Sequence, residues 1–466
     1  MHTRQRAHQV ASTSKTKDQD DGLAAQIRGT TMIRKLCRVV MNLEQLIQNG
    51  TVMGALTRVF QEEFKKSTEL TFNILRVFLA FSNFMEMHGL MANYRIGMLT
   101  MQAIAYEVKR AEHRDSERKT RDSYYEGEVA AAKRGERSDG KSKEEIVQAV
   151  ERIKKERERE QKRERKQVKK QDKLLFVAFY ILLNLAEDVA VERKMLKKSL
   201  LDSLLSMLDR SFVDLLVLVV TFLKKTAIFE ENKDALKATP VIAMIARFLP
   251  CSSAPLVNIS LRFLFNLSFD ADFREQMIKC GYVPKLVGLL RTPAFRARTL
   301  KLLYHLSADD RCKSMITYTD GVPLLMGMVI NFPQNLLAKE LAALVVNLSH
   351  HPRNCEIMVS NRGLNHLMDR LSSNRDPLLL KIIRNISQWT FNQQQSCDSP
   401  ELQYKQRGLW SPHLKLLMEL ATRCENHDIL VEVRPYLTPY LTHYLTPPGR
   451  LSHSLFLRRC SASSRT

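Results

Sequence analysis

NLA at 184–186, NLS at 266–268, NLS at 347–349 and NIS at 385–387 are copies of one phrase: asparagine, an apolar residue, a small residue. Two degenerate copies stand between them, KTA at 225–227 and HLS at 305–307. The first letters fall 41, 41, 39, 42 and 38 residues apart. A second marker keeps the same beat. GYVPKLVGLL at 281–290, GVPLLMGMV at 321–329 and GLNHLMDRL at 363–371 begin 40 and 42 residues apart. The Gly ends the preceding turn, and Pro284 and Pro323 sit near the start of the next helix, where a missing N–H costs no intrahelical bond. Each unit reads as a short helix, a Gly/Pro turn, a second helix, and a long third helix that carries the phrase. Self-similarity near 40 residues in a helical sequence is the mark of stacked helical repeats.

The fold expected from this is all-α: an armadillo-type right-handed superhelical solenoid with a charged insert. The chain has 466 residues, 44% of them hydrophobic, with 16 Gly and 15 Pro. That suits a helical protein with short turns. Residues 1–29 read as a disordered leader and 30–108 as N-terminal armadillo-like repeats. Residues 109–173 form a charged insert, flexible or helical, inside one inter-helix loop. From Glu107 to Lys173 there are 23 Lys/Arg against 17 Asp/Glu. Pairs such as Glu151–Lys155, Arg152–Glu156, Lys154–Glu158 and Glu158–Lys162 have the spacing that supports an exposed helix. No apolar seam for a coiled coil accompanies them. EGEVAAAKRGERSDGKSKEE at 126–145, with three Gly, reads as a flexible linker. Residues 174–391 hold the regular repeats. Residues 392–466 are expected to be divergent and largely disordered, with one further helix at 409–421.

On each third helix, the Asn and the residue four before it share a face, one turn apart. The pairs are Tyr180/Asn184, Thr221/Lys225, Arg262/Asn266, Lys301/His305, Ala343/Asn347 and Lys381/Asn385. The residues one after and three before the Asn are apolar, such as Phe263 with Leu267 and Ile382 with Ile386. These are expected to face the core. The paired polar positions then face outward and form a candidate partner-binding groove: Tyr180, Asn184, Lys225, Arg262, Asn266, Lys301, His305, Asn347, Lys381 and Asn385. The alternative role for the Asn is to satisfy backbone groups of the neighbouring helix.

The formal net charge is +22. Such a balance favours an acidic partner. Acidic protein segments are preferred over nucleic acid, because no nucleic-acid motif occurs. The eight cysteines are scattered singly, so neither a metal site nor a disulfide framework is implied. No cofactor is expected. The longest apolar run, LLFVAFYILLNLA at 174–186, is too short to span a bilayer, so membrane insertion is not expected. Nucleotide-binding, zinc-protease and serine-hydrolase motifs are absent. The adjacent carboxylates Glu187–Asp188 and Asp309–Asp310 are better explained as helix-end loops than as paired acids. The chain is therefore read as a non-enzyme.

The array is more than generic. It resembles the kinesin-associated proteins, the non-motor armadillo subunits of heterotrimeric kinesin-II, over roughly residues 40–391. The stretches that carry the resemblance are LIQNGTVMGALTRV at 46–59, FSNFMEMHGLMANYRIG at 81–97, LLNLAEDVAVERKM at 182–195, LLVLVVTFLKKTAIFEENK at 215–233 and LRFLFNLSFD at 261–270. LLYHLSADDRCKSMITYTD at 302–320 and DPLLLKIIRNISQ at 376–388 also match. The resemblance implies binding to the tails of the kinesin-II motor subunits. It also implies linkage to cargo adaptor proteins and transport within cilia, with a cytoplasmic, cytoskeleton-associated location. Against that family, a long N-terminal segment and the later repeats are expected to be missing here. The alternative function is an import-type armadillo receptor or another armadillo protein-binding scaffold; in import-type proteins an Asn ladder clamps an extended peptide, with Trp four residues before. Here none of those partners is Trp, and Arg262, Lys301 and Lys381 imply a preference for acidic ligands.

Overall fold

A computed structural model describes residues 21–134, 143–395, 409–423, 428–429 and 432. Helices make up its regular structure, and no strand occurs among the described residues. The chain divides into two compact units, Met1–Thr226 and Ala227–Thr466.

The first unit contains three three-helix repeats. A helix over residues 21–36 (α1) precedes α2 (Met41–Gln48), α3 (Gly50–Glu63) and α4 (Thr68–Ser82). The second repeat has α5 (Met85–Asn93), α6 (Ile96–Arg134) and α7 (Lys143–Leu185). The third has α8 (Val189–Leu196), α9 (Leu200–Met207) and α10 (Val213–Thr226). In the second repeat, the first turns of α6 serve as the second helix and the last turns of α7 as the third. α7 packs between α4 and α10, as a third helix should. The charged insert is thus the loop between second and third helices, drawn out into a long antiparallel hairpin.

Both arms of the insert are continuous helices, and α6 runs through Gly127 to Arg134. The linker expected at 126–145 is helical over 126–134 and 143–145, and 135–142 lies outside the described residues. Of the four local pairs, one forms. Glu151–Lys155 forms at 4.0 Å, but the other three form no ion pair among the described residues. The acids instead cross to the other helix: Arg121 meets Glu160 at 3.4 Å and Glu164 at 3.2 Å, and Arg157 meets Asp122 at 2.8 Å. Residues 21–29, expected to be leader, are helical. α1 is fixed to α4 through Asn73, which accepts from Arg34 at 2.8 Å and donates to Thr31 at 3.1 Å.

The second unit contains four repeats: α11 (Glu230–Lys237), α12 (Val241–Ile245) and α13 (Ala254–Leu267); α14 (Ala271–Lys279), α15 (Tyr282–Leu289) and α16 (Pro293–Leu306); α17 (Asp310–Thr317), α18 (Gly321–Ile330) and α19 (Lys339–Leu348); α20 (Pro352–Val359), α21 (Gly363–Asn374) and α22 (Pro377–Gln395). Successive third helices α13, α16, α19 and α22 lie side by side. Phe263, Leu267, Ile382 and Ile386 are fully buried, as the apolar spacing requires.

The local signals explain the helix ends. Asp188, Asp270 and Asp309 each cap a first helix, accepting a backbone N–H two residues on at 2.8–2.9 Å. Such a cap is worth about 1 kcal/mol. The acidic doublets at 187–188 and 309–310 therefore mark helix starts. The repeat glycines have different duties. Gly281 takes a left-handed φ of 72°, which glycine adopts at no steric cost. Gly363 has an ordinary φ, but a Cβ there would lie 1.9 Å from the Met358 carbonyl oxygen. The left-handed turn at that repeat falls instead on Asn361 and Arg362.

The segment after α22, expected to be largely disordered, has a packed part. Trp410 is fully buried and donates its indole N–H to Thr390 at 3.1 Å. A helix at Leu414–Arg423 buries Leu417 and Leu420. The Pro-rich YLT segment after residue 432 lies outside the described residues.

Candidate protein-binding face

The predicted site residues do not stand free. In each unit, the first letter of one phrase reaches back to the third letter of the phrase before it. Asn184 donates to Ser82 Oγ at 3.1 Å and to Asn83 Oδ1 at 3.1 Å. Asn347 donates to Ser307 Oγ at 2.9 Å. Asn385 donates to Ser349 Oγ at 2.8 Å and to the Val346 carbonyl at 3.2 Å. His305 Nδ1 lies 2.7 Å from Ser268 Oγ. The serines are buried, and each gives its hydroxyl proton to the carbonyl three residues before it. A hydroxyl has one donor and two acceptor sites. The Asn of the next repeat thus fills the remaining need, and His305 does the same in the tautomer that carries its proton on Nδ1.

The degenerate copies obey the same rule. In HLS, the imidazole replaces the amide. Burial, with the nearby Arg274 charge second, holds the His305 pKa below its ordinary value. The ring stays neutral and stacks on Phe265 at 4.9 Å. In KTA, Lys225 donates to the Ala186 carbonyl, since alanine offers no hydroxyl there. Its ammonium also lies 3.8 Å from Glu192, which is 1% exposed. Burial raises the Glu192 pKa and Lys225 opposes that rise. A lysine in place of Asn is the counter-charge to a buried carboxylate.

The ladder has a seventh member that periodicity misses. Ser82, the partner of Asn184, ends AFS at 80–82, which is the phrase of the first repeat. The phrase begins at Ala80, 104 residues before Asn184 and not about 40, because the hairpin intervenes. The signal was the small residue at a third-helix end, and the beat was broken.

The positions one turn before the ladder are more open. Tyr180, Arg262 and Lys301 are exposed. Lys301 pairs with Glu340 at 3.2 Å, and Lys381 with Glu432 at 3.4 Å. Glu432, which also receives Arg384, is itself 7% exposed. Lys381 therefore belongs to a packed cluster more than to an open face. Around His305 gather Phe269 and Tyr304, 63% and 40% exposed, with Phe269 4.6 Å from the imidazole.

Elsewhere the chemistry is quiet. Burial pushes the thiols of Cys312 and Cys355 up to about 12, and that of Cys37 to about 11. Among the described residues no cluster of His, Cys, Asp and Glu has metal-binding geometry, and no helix is long and apolar enough to cross a membrane.

Three-helix repeats stacked through their third helices, with a polar ladder between them, define an armadillo-repeat protein. The chain belongs to the kinesin-associated protein (KAP) family, whose description fits residues 19–399. An engineered protein of known crystal structure shares the fold at 11% identity, with a TM-score of 0.51, over 88% of this chain and 94% of its own. A designed armadillo repeat protein aligns with 50% of this chain and 97% of its own, at 13% identity and a TM-score of 0.41.

Proposed function

We propose that this protein is a non-catalytic adaptor that binds the tails of kinesin-II motor subunits and links them to cargo adaptor proteins on microtubules. The observation that carries this reading is the family membership across residues 19–399, which takes in all seven repeats. Membership as a kinesin-associated protein supports the motor partner; transport within cilia and a ciliary location follow as the finer part of the proposal. Repeat arrays offer extended faces for such partners.

The ladder geometry supports a division of labour within each unit. In the first, Asn184 spends both amide protons inside the protein, so its Oδ1 remains to accept a backbone N–H from a partner, and Tyr180 supplies a side-chain contact. In the second, Arg262 and Lys301 supply side-chain contacts, and these two cations favour an acidic tail. An import-type role is disfavoured because no third-helix position four before the ladder is Trp.

The test is a pull-down of motor tails by the full chain, beside a basic localisation peptide. Tail capture without peptide capture is expected. Arg262→Glu with Lys301→Glu should reduce tail capture at least tenfold at low salt, with the melting temperature little changed. Normal capture by that variant would move the motor site off this face.

A further inference from the structure

The outer face of the hairpin carries a basic stripe. On α7, Lys155, Arg159, Lys162, Lys166, Lys170 and Lys173 follow at spacings of four, three, four, four and three, which keeps them on one side of the helix. All six are exposed. Their line runs about 27 Å, at 1.5 Å per residue. The opposite side of α7 faces α6 and takes up acid–base partners: Arg157 with Asp122, Glu160 with Arg121 and Tyr125, Glu164 with Arg121. Glu160, Glu164 and Asp172 are thus drawn inward, while the six cations of the stripe face outward and Glu151, Glu156 and Glu158 are also exposed. In the stripe, Lys155 has its contact with Glu151 at 4.0 Å. Glu69 of α4 lines the same hollow as Lys170 and Lys173 but forms no ion pair with them among the described residues.

The stripe is firmly mounted. At the hairpin base, Gln171 donates to the Glu107 carbonyl and carboxylate at 2.8 and 2.6 Å, and Arg210 of the next repeat donates to Asp172 at 3.0 Å. Glu107, Gln171 and Asp172 are 1–3% exposed. Because α7 is one helix, the same side continues past Lys173 to Tyr180 and Asn184, the ladder face of this repeat.

We propose that this stripe docks an acidic polypeptide segment of about five helical turns, running along α7 toward Tyr180. The proposal does not rest on what the third-helix face of either unit binds. The cations stand in single file, about one per turn, which matches acidic side chains on successive turns of a partner helix. No aromatic residue interleaves them between Lys155 and Lys173 for bases to stack on. A straight file one residue wide also follows a duplex backbone poorly, since that backbone winds away from it.

The experiment uses the full chain and a labelled 20-residue alanine-based peptide with Glu on one helical face, read by anisotropy at 50 mM salt. Lys162→Glu, Lys166→Glu and Lys170→Glu together should weaken binding at least tenfold. Reversing three exposed cations off the stripe, Lys119, Lys154 and Arg165, should weaken it less than threefold. Tyr180→Ala should weaken it two- to fivefold. If the reversed stripe loses helicity, the same three positions changed to Gln should still give a fivefold loss. Equal losses in the stripe and control variants would overturn the proposal, because net charge would then explain the binding. Tighter, stripe-dependent binding to phosphatidylserine vesicles or to a 20-base-pair duplex would overturn it in favour of those partners.

Discussion

The repeats and the hairpin are built from the same element and held by different forces. In the repeats, third helices such as α13 and α16 bury Phe263, Leu264, Leu302 and Leu303 completely. Burying such a side chain is worth about 1.5–3 kcal/mol. In the hairpin, α6 and α7 meet through pairs that solvent reaches: Arg121 is 40% exposed and Arg157 is 35% exposed. Pairs of that kind are worth about 0–1 kcal/mol each. The repeats therefore resist perturbation as a cooperative stack, and the hairpin is free to evolve its outer surface at little energetic cost.

The contrast breaks most sharply at the core. Phe263→Ala should cost about 3–5 kcal/mol, seen in chemical denaturation of the full chain. A loss below 1 kcal/mol would mean that the stack is not the stabilising part. Next comes Lys225→Ala, which strands the Glu192 carboxylate. A fully buried pair broken on one side loses about 3–5 kcal/mol, but Lys225 is 29% exposed, so about 2 kcal/mol is expected. Adding Glu192→Gln should recover much of that loss, whereas no recovery would detach the lysine from the carboxylate. Asn347→Ala leaves the Ser307 oxygen short of its donor and should cost about 1–2 kcal/mol.

In the hairpin, Arg121→Ala should change global unfolding by under about 0.5 kcal/mol, since exposed pairs contribute little. Hydrogen exchange should nonetheless quicken over residues 115–134 and 150–165. A global loss as large as that of Phe263→Ala would erase the distinction between the two regions.

The smallest effect sharpens it by pH. His305 has a folded pKa below 6.5, so on acidification the unfolded chain binds the proton first. Stability from this residue is full above pH 6.5, falls as pH drops through 6.5, and levels once the folded ring protonates. His305→Asn, which restores the common letter of the ladder, should flatten that slope between pH 7 and 5 while keeping the Ser268 bond. An unchanged slope would assign the acid sensitivity to other groups.

The candidate face shows how far spacing alone reaches. Periodicity located Asn184, Asn347 and Asn385 on one helical face, and one helical turn linked them to Tyr180, Ala343 and Lys381. It did not say that their amides are consumed by Ser82, Ser307 and Ser349 of the preceding repeats. The degenerate letters were legible as departures but not as solutions. Lys225 makes sense only beside Glu192, 33 residues earlier in the chain and on the first helix of the same repeat. The four-residue spacing within α7 named pairs such as Glu151–Lys155 but did not reach the contacts that Glu160 and Glu164 make with α6.

What the sequence determined by itself is the repeat, its three helices, its caps and its apolar faces. Each follows from short-range rules: a 3.6-residue period, a side chain that caps a backbone N–H, and a glycine in a left-handed turn. What only the tertiary structure decided is the pairing between repeats and the outward face of the hairpin. A hydrogen bond from Asn184 to Ser82 spans 102 residues, and the exposed stripe on α7 exists because α6 covers the other side. Both depend on which helix lies alongside, and packing between distant segments sets that neighbour, whatever the local spacing of residues.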